Sequence, residues 1–208
     1  MSEQALQNLA LASTVTSDAR VMLELAELPV EAPGDGESLV KVDATPINPS
    51  DFLYLMGPAD LATMSLEDAH GRRVLSAAVR PGRLEAMAAR INQPITVGNE
   101  GTGIVVAAGA GTENLLGKRI SAFAGSMFCR YRTIRADGCM VLPDDTTPRE
   151  GAGLLVNPLT GLSMIEVMRR EGHRALVHTA AIPNLGQILA RICQADGIDL
   201  VNVVRSEA

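Results

Sequence analysis

Tryptophan is absent from this 208-residue chain, which carries only three phenylalanines and two tyrosines. Proteins that bind single strands without sequence preference stack bases on aromatic side chains, and too few are present here to build such a platform. Basic residues are also in deficit, 18 Lys and Arg against 24 Asp and Glu, for a net charge of −6. Phosphate neutralisation needs clustered cations, so nucleic acid is excluded on a second, independent count and a small-molecule partner is expected. The three cysteines, Cys129, Cys139 and Cys193, show no Cys-x-x-Cys spacing, which argues against a disulfide framework and a structural zinc site and for buried free thiols. No stretch approaches the roughly 20 apolar residues that span a bilayer. Residues 1–12 lack a basic segment followed by a continuous apolar run, so no membrane partner and a cytoplasmic location are expected.

What is present is 47% hydrophobic and 20% charged, with 19 glycines and 11 prolines spread along the chain. That composition suits short strands joined by turns better than a helical bundle. Apolar runs at Val21–Leu25 and Leu39–Val42 flank the turn-rich Pro33-Gly34-Asp35-Gly36. Further runs at Gly103–Ala108, Lys118–Ala124, Cys129–Ile134 and Cys139–Leu142 complete a β-rich, barrel-like domain over residues 1–155. Residues 60–94 read as an insertion within it, with a polar loop and a strand at Val74–Val79. A helix follows over Arg83–Ile91, burying Leu84, Met87, Ala88 and Ile91 and leaving Glu85 and Arg90 in solvent.

From residue 156 the pattern becomes α/β. Asn157-Pro158 supplies an N-cap and a first helical residue for a helix that stops before Gly172. A strand at Ala175–Thr179, a small-residue turn, a helix over Leu185–Ala195 and a second strand at Leu200–Val204 form one βαβ unit. Leu185, Ile188, Leu189, Ile192 and Cys193 recur at the spacing of one buried helical face. Residues 156–208 therefore open a doubly wound parallel domain. The turn from Thr179 through Ala181 to Asn184-Leu185-Gly186-Gln187 lets a pyrophosphate approach backbone N–H groups at a helix N-terminus, although the full G-x-G-x-x-G pattern is missing. At the end of the second strand, Arg205 stands where an acidic residue would select NAD, and an arginine can pair with the 2′-phosphate of NADP; a solvated arginine is the alternative.

Five segments, taken together and in order, carry a family resemblance: Ile47-Asn48-Pro49-Ser50-Asp51, Gly98-Asn99-Glu100-Gly101-Thr102-Gly103, Val156-Asn157-Pro158-Leu159-Thr160, Asn184-Leu185-Gly186-Gln187 and Asn202-Val203-Val204-Arg205. The chain resembles the zinc-free quinone oxidoreductase and mitochondrial-type enoyl reductase branch of the medium-chain dehydrogenases, over nearly its whole length. The resemblance implies a GroES-like catalytic domain followed by a Rossmann domain, with NADPH in the cleft between them and hydride passed to a quinone or activated double bond. It implies that Asn48 and Asp51 lie near the nicotinamide, that Asn157 and Thr160 sit beside the cofactor, and that Asn184–Gln187 cover the pyrophosphate. A simple Asx turn and helix cap is the alternative for Asn48–Asp51. Zinc-dependent relatives place a histidine where Asn99 stands here, and no cysteine lies near Asn48, so no zinc is expected.

Two departures follow from the same resemblance. Enoyl reductases of this branch place a tyrosine just past the glycine that follows the Asn48–Asp51 segment, whereas Gly57 here precedes Pro58-Ala59. Tyr54 is the nearby tyrosine, as a candidate catalytic group or a packing residue. The chain also stops after the second Rossmann strand, so a truncated reductase is expected. An inactive binding or assembly module and an enoyl-thioester reductase are the alternatives. Dimers are common in the family, which makes a homodimer the assembly to test.

Overall fold

The computed structural model describes residues 6–69, 71–179 and 183–204. The chain divides into two compact units, 1–152 and 153–208. In the first, strands β1 (Asn8–Val15), β2 (Arg20–Leu28) and β3 (Glu37–Ala44) lead to helix α1 (Pro49–Met56), then β4 (Ser65–Ala69), β5 (Arg72–Ala78) and β6 (Ile95–Thr96). Strands β7 (Glu100–Ala108), β8 (Arg119–Phe123), β9 (Tyr131–Arg135) and β10 (Cys139–Val141) and the short helix α2 (Pro148–Ala152) complete it.

The described strands of this unit form two five-stranded sheets, in the orders β4-β5-β2-β1-β6 and β10-β8-β7-β3-β9. Residues 128–130 tie them together. Leu11 N–H donates to Phe128 O (2.8 Å) and Arg130 N–H to Leu9 O (3.0 Å), while Val42 N–H donates to Arg130 O (2.9 Å). One core packs Val15, Val21, Leu55, Met56, Ala77 and Val97; the other packs Val40, Val105, Ile120, Met127 and Ile134. Helix α1 thus belongs to the first core, through Leu55 and Met56, while its N-terminus meets the start of β7.

Strand β1 was not expected. Its buried positions include Asn8, Ala10, Ala12 and Ser13, small or polar residues whose contrast with their neighbours is too low to register as alternation. The insertion is more ordered than a polar loop, because β4 pairs antiparallel with β5 from Ser65↔Ser76 to Ala69↔Arg72. The helix expected at Arg83–Ile91 is only a 3-10 segment, Glu85–Arg90. Leu84 and Met87 do pack on the first core, but Ala88 is exposed. Arg90 is partly buried rather than solvated, since its guanidinium donates to Tyr54 O (3.3 Å) at the end of α1. That contact has a cause: α1 carries no basic residue in its last turn, so its carbonyls take Arg90, Arg80 (to Gly57 O) and the Ser13 hydroxyl (to Leu55 O, 2.8 Å) from elsewhere.

The second unit contains α3 (Val156–Arg170), β11 (Ala175–His178), α4 (Asn184–Asp196) and β12 (Asp199–Asn202). Helix α3 begins two residues earlier than read, with Leu155 at the cap and no side-chain capping bond, so Asn157 is a first-turn residue and not the N-cap. Pro158 is tolerated because first-turn N–H groups have no intrahelical acceptor. Strands β11 and β12 pair in parallel from Ala175↔Asp199 to His178↔Asn202, the expected βαβ unit. Ile165, Leu189 and Cys193 form its core with Leu176 and Leu200, and Gly161 faces Leu185, Ile188 and Ile192 of α4. On the other side of the strands Val177 is 69% exposed and Val201 55%. The described helices are all too short or too polar to cross a membrane.

Close backbone approach fixes the β3–β7 pair. A Cβ on Gly103 would stand 2.1 Å from Lys41 O and 2.7 Å from Val40 Cγ1. Gly103→Ala is expected to cost about 1–3 kcal/mol through overpacking, read as a lower midpoint in urea denaturation; an unchanged midpoint would contradict this register.

Candidate functional site

Two groups of sequence-predicted residues emerge, one in each unit. In the first unit the structure brings Asn48 and Asp51 together with the start of β7. Asp51 is fully buried and uses both carboxylate oxygens on backbone donors: Asn48 N–H to Oδ2 (2.7 Å) and Asn99 N–H to Oδ1 (3.0 Å). Asn48, 4% exposed, donates from Nδ2 to Oε1 of the fully buried Glu100 (3.0 Å). Asn99 donates from Nδ2 to Ser50 Oγ (2.8 Å). The capping geometry considered for Asn48–Asp51 is therefore real, but it extends beyond a local turn, because it joins α1 to a strand about 50 residues away.

The local sequence explains the arrangement. Pro49 is pre-set for a first helical position, and Asp51 sits in the first turn, where a carboxylate meets exposed N–H groups and the positive end of the helix dipole. Gly98, at φ 108°, turns the chain into β7 where a Cβ would meet Phe128 N at 2.6 Å. Glu100 was quoted in a motif but not picked as a site residue. Its signal was present: a carboxylate set among Gly98, Gly101 and Gly103 at the head of a buried strand.

Tyr54 does not join this cluster. Its side chain is exposed by 54%, with Phe52 and Leu53 also exposed, so it is not a packing residue. The asymmetry follows from helical spacing, since Asp51, Leu55 and Met56 occupy the buried face of α1 and residues 52–54 the outer one. A groove of about 380 Å³ runs beside that outer face, lined by Phe52, Leu53, Met56, Leu61 and Arg80.

In the second unit, Asn157 and Thr160 lie in the first turns of α3, where the Thr160 hydroxyl donates to Val156 O (2.6 Å). Asn184, Leu185, Gly186 and Gln187 make the first turn of α4, with Gly186 buried and Asn184 and Gln187 exposed. Ala181 and Arg205 lie outside the described residues. His178, the last residue of β11, is 6% exposed and its Nδ1 has no hydrogen-bond partner. An orphaned buried nitrogen at the carboxyl end of a parallel strand sits where open α/β sheets take ligands.

Among the described residues no group of three or more His, Cys, Asp or Glu is placed to hold a metal ion. Burial pushes the Cys129 thiol up to about 11, against a smaller opposing effect from Arg132, and burial also raises Cys139 and Cys193. Each stays a neutral thiol at pH 7, which disfavours a nucleophilic cysteine.

Residues 34–154 match the alcohol dehydrogenase GroES-like domain, and the chain belongs to that family. It is 27% identical over 191 residues to the mitochondrial enoyl-[acyl-carrier-protein] reductase of Caenorhabditis elegans, covering 89% of this chain and 46% of that protein. Its fold matches the quinone oxidoreductase of Coxiella burnetii with a TM-score of 0.69 at 14% identity, covering 95% of this chain and 56% of the other. It also matches the Escherichia coli quinone oxidoreductase complexed with NADPH, with a TM-score of 0.65 at 18% identity, covering 97% and 53%. The chain spans about half the length of the curated relatives it matches. These matches bear out the α/β fold with its GroES-like portion and the resemblance to the quinone oxidoreductase and enoyl reductase branch.

Removing the Asp51 carboxylate strands two N–H groups. Asp51→Ala is expected to lower unfolding free energy by about 1–3 kcal/mol or more in urea denaturation; a loss below about 0.5 kcal/mol would show that the bridge contributes nothing.

Proposed function

We propose that this chain belongs to an NADPH-dependent, zinc-independent reductase that transfers hydride to a quinone or activated carbon–carbon double bond. The observation that carries this reading is the parallel βαβ unit whose helix opens at Asn184, with the buried Nδ1 of His178 unpartnered at the carboxyl end of β11. First-turn N–H groups of α4 suit a pyrophosphate, and Gly186 leaves room for backbone approach. In this reading residues 156–208 begin the nucleotide-binding domain and residues 1–155 supply the acceptor side. Asn184, Leu185, Gly186 and Gln187 hold the pyrophosphate with Ala181, Asn157 and Thr160 lie beside the nicotinamide, and Arg205 pairs with the 2′-phosphate. Bound NADPH supplies the hydride from its nicotinamide C4.

The chain's own work is then alignment and charge stabilisation, which need no proton-relay triad. Asn48 and Asp51, both buried, fix the start of α1 against β7 on the acceptor side. On the outer face of α1, Phe52, Leu53 and Leu61 give an apolar acceptor a surface. The substrate is accordingly a small apolar carbonyl compound. Zinc takes no part, because Asn99 spends its amide on Ser50 and no cysteine lies beside Asn48. A homodimer is inferred from family habit.

Enoyl-thioester reduction is the second reading, favoured by the name of the C. elegans relative. It differs in needing a tyrosine at the site, for which the exposed Tyr54 is the candidate.

Titration of NADPH and NADH by cofactor fluorescence is the test. NADPH is expected to bind the more tightly, and Arg205→Ala to weaken it roughly 10- to 100-fold while sparing NADH, the range for losing a charge-assisted hydrogen bond. No binding of either cofactor would overturn the reading. Tyr54→Phe is expected to leave quinone turnover unchanged, and loss of crotonyl-thioester reduction in that variant would favour the second reading instead.

A further inference from the structure

Hydride arriving at the β-carbon of an enone, or on a quinone, leaves an enolate or a hydroquinone anion with its charge on oxygen. The acceptor side therefore needs a hydrogen-bond donor where that charge develops. Asp51 and Asn48 do not supply it. Asp51 is fully buried and spends both carboxylate oxygens on backbone N–H groups, and Asn48 is committed to Glu100 and to the capping box with Asp51. The groove on the outer face of α1 is different. Phe52, Leu53, Met56 and Leu61 give it apolar walls, and Arg80 is the one hydrogen-bond donor among its described lining side chains, which do not include Tyr54.

The fold holds Arg80 in place from both sides. Its backbone N–H donates to Pro58 O (2.9 Å), and its carbonyl accepts from Arg83 N–H (3.1 Å) across Pro81-Gly82, with Gly82 at φ 73°. Val79 bridges Ala59, which sets Arg80 against the chain leaving α1. The guanidinium donates to Gly57 O, a contact that leaves further N–H donors of the fork. Among the described residues no carboxylate pairs with it, whereas Arg20, Arg72 and Arg119 of the same unit are each ion-paired. The other charge on the groove is Asp60, which accepts Ala62 N–H (3.1 Å) as the cap of residues 61–63. An ionised carboxylate donates nothing and repels an oxyanion, so Arg80 also has Asp60 to offset.

We propose that Arg80 is a catalytic residue of the reductase site, donating to the acceptor oxygen and stabilising the negative charge that hydride transfer places there. The inference rests on the reductase reading and adds to it the group that stabilises the charge. In an enone the hydride pair forms the new C–H bond at the β-carbon, the C=C pair shifts to make the enolate, and water then protonates the α-carbon. Arginine keeps its proton throughout.

The test uses Arg80→Gln and Arg80→Lys in the full chain, with 1,4-naphthoquinone as an easily reduced acceptor and 2-cyclohexenone as a reluctant one. With NADPH, Arg80→Gln is expected to lower kcat roughly tenfold for naphthoquinone and by more for cyclohexenone, whose enolate is the stronger base, with the KM for NADPH unchanged. Arg80→Lys keeps the charge and is expected to retain most of kcat. Unchanged kcat in Arg80→Gln overturns the proposal. So does a loss equal for both acceptors, or equal in Arg80→Lys, since a role confined to holding Gly57 O would depend on neither the acceptor nor the charge.

A second readout needs no turnover. The oxyanion of p-nitrophenolate mimics the enolate, and its binding to the native chain, followed by absorbance, is expected to be at least about fivefold tighter than to Arg80→Gln. Nitrophenolate that does not bind, or that binds both chains equally, overturns the Arg80 assignment whatever the turnover. A native chain that reduces neither acceptor removes the reductase reading, and nitrophenolate binding alone then decides whether Arg80 holds an oxyanion.

Discussion

The acceptance of two backbone N–H groups by one buried carboxylate, Asp51, is the constraint on which the rest of the first unit depends. One of those donors opens α1 and the other precedes β7, so a single side chain sets the helix against the second sheet. The far end of the helix is fixed independently, by Leu55 and Met56 in the first core and by arginines on its last carbonyls. A helix of only eight residues, too short to be stable alone, thereby becomes a rigid element between two sheets.

That rigidity gives the α1 segment its functional meaning. Its inner face is spent entirely on the bridge and the core, and its outer face leaves Phe52, Leu53 and Tyr54 in solvent beside a groove. In the proposed reading hydride transfer asks the protein chiefly for alignment, and alignment is what a helix pinned at both ends provides. In the second unit the demand is different. There a parallel pair and the helix between them leave one buried imidazole nitrogen, Nδ1 of His178, unpartnered at the carboxyl end of β11.

How much of this was legible in the sequence depended on the physical signal each part carries. The βαβ unit was read because Leu185, Ile188, Leu189, Ile192 and Cys193 mark one face so plainly that the helix needed no further support. Strands β2, β3 and β7 were read from short runs rich in Val, Leu and Ile. Strand β1 was not, because its buried alanines and serine give almost no hydrophobic contrast. Asn48 and Asp51 were legible as a turn and as a family motif, and Glu100 stood out as a carboxylate among glycines, but that the two segments meet was not legible, since a bond spanning 52 residues leaves no trace in local spacing. Arg90 was misjudged for the same reason: a cation near a helix end looks solvated until the carbonyls it serves are known. Asn157 was read as an N-cap because local rules favour it, whereas α3 begins two residues sooner.

The central claim is that hydride passes from NADPH to an activated acceptor under the alignment this fold provides. The most direct measurement incubates the chain with NADPH deuterated at nicotinamide C4 and a small α,β-unsaturated ketone, and locates the label in the product by NMR. Deuterium on the β-carbon of the saturated ketone is the result the account predicts. Unlabelled product, or an enone left unreduced while NADPH persists, would contradict it.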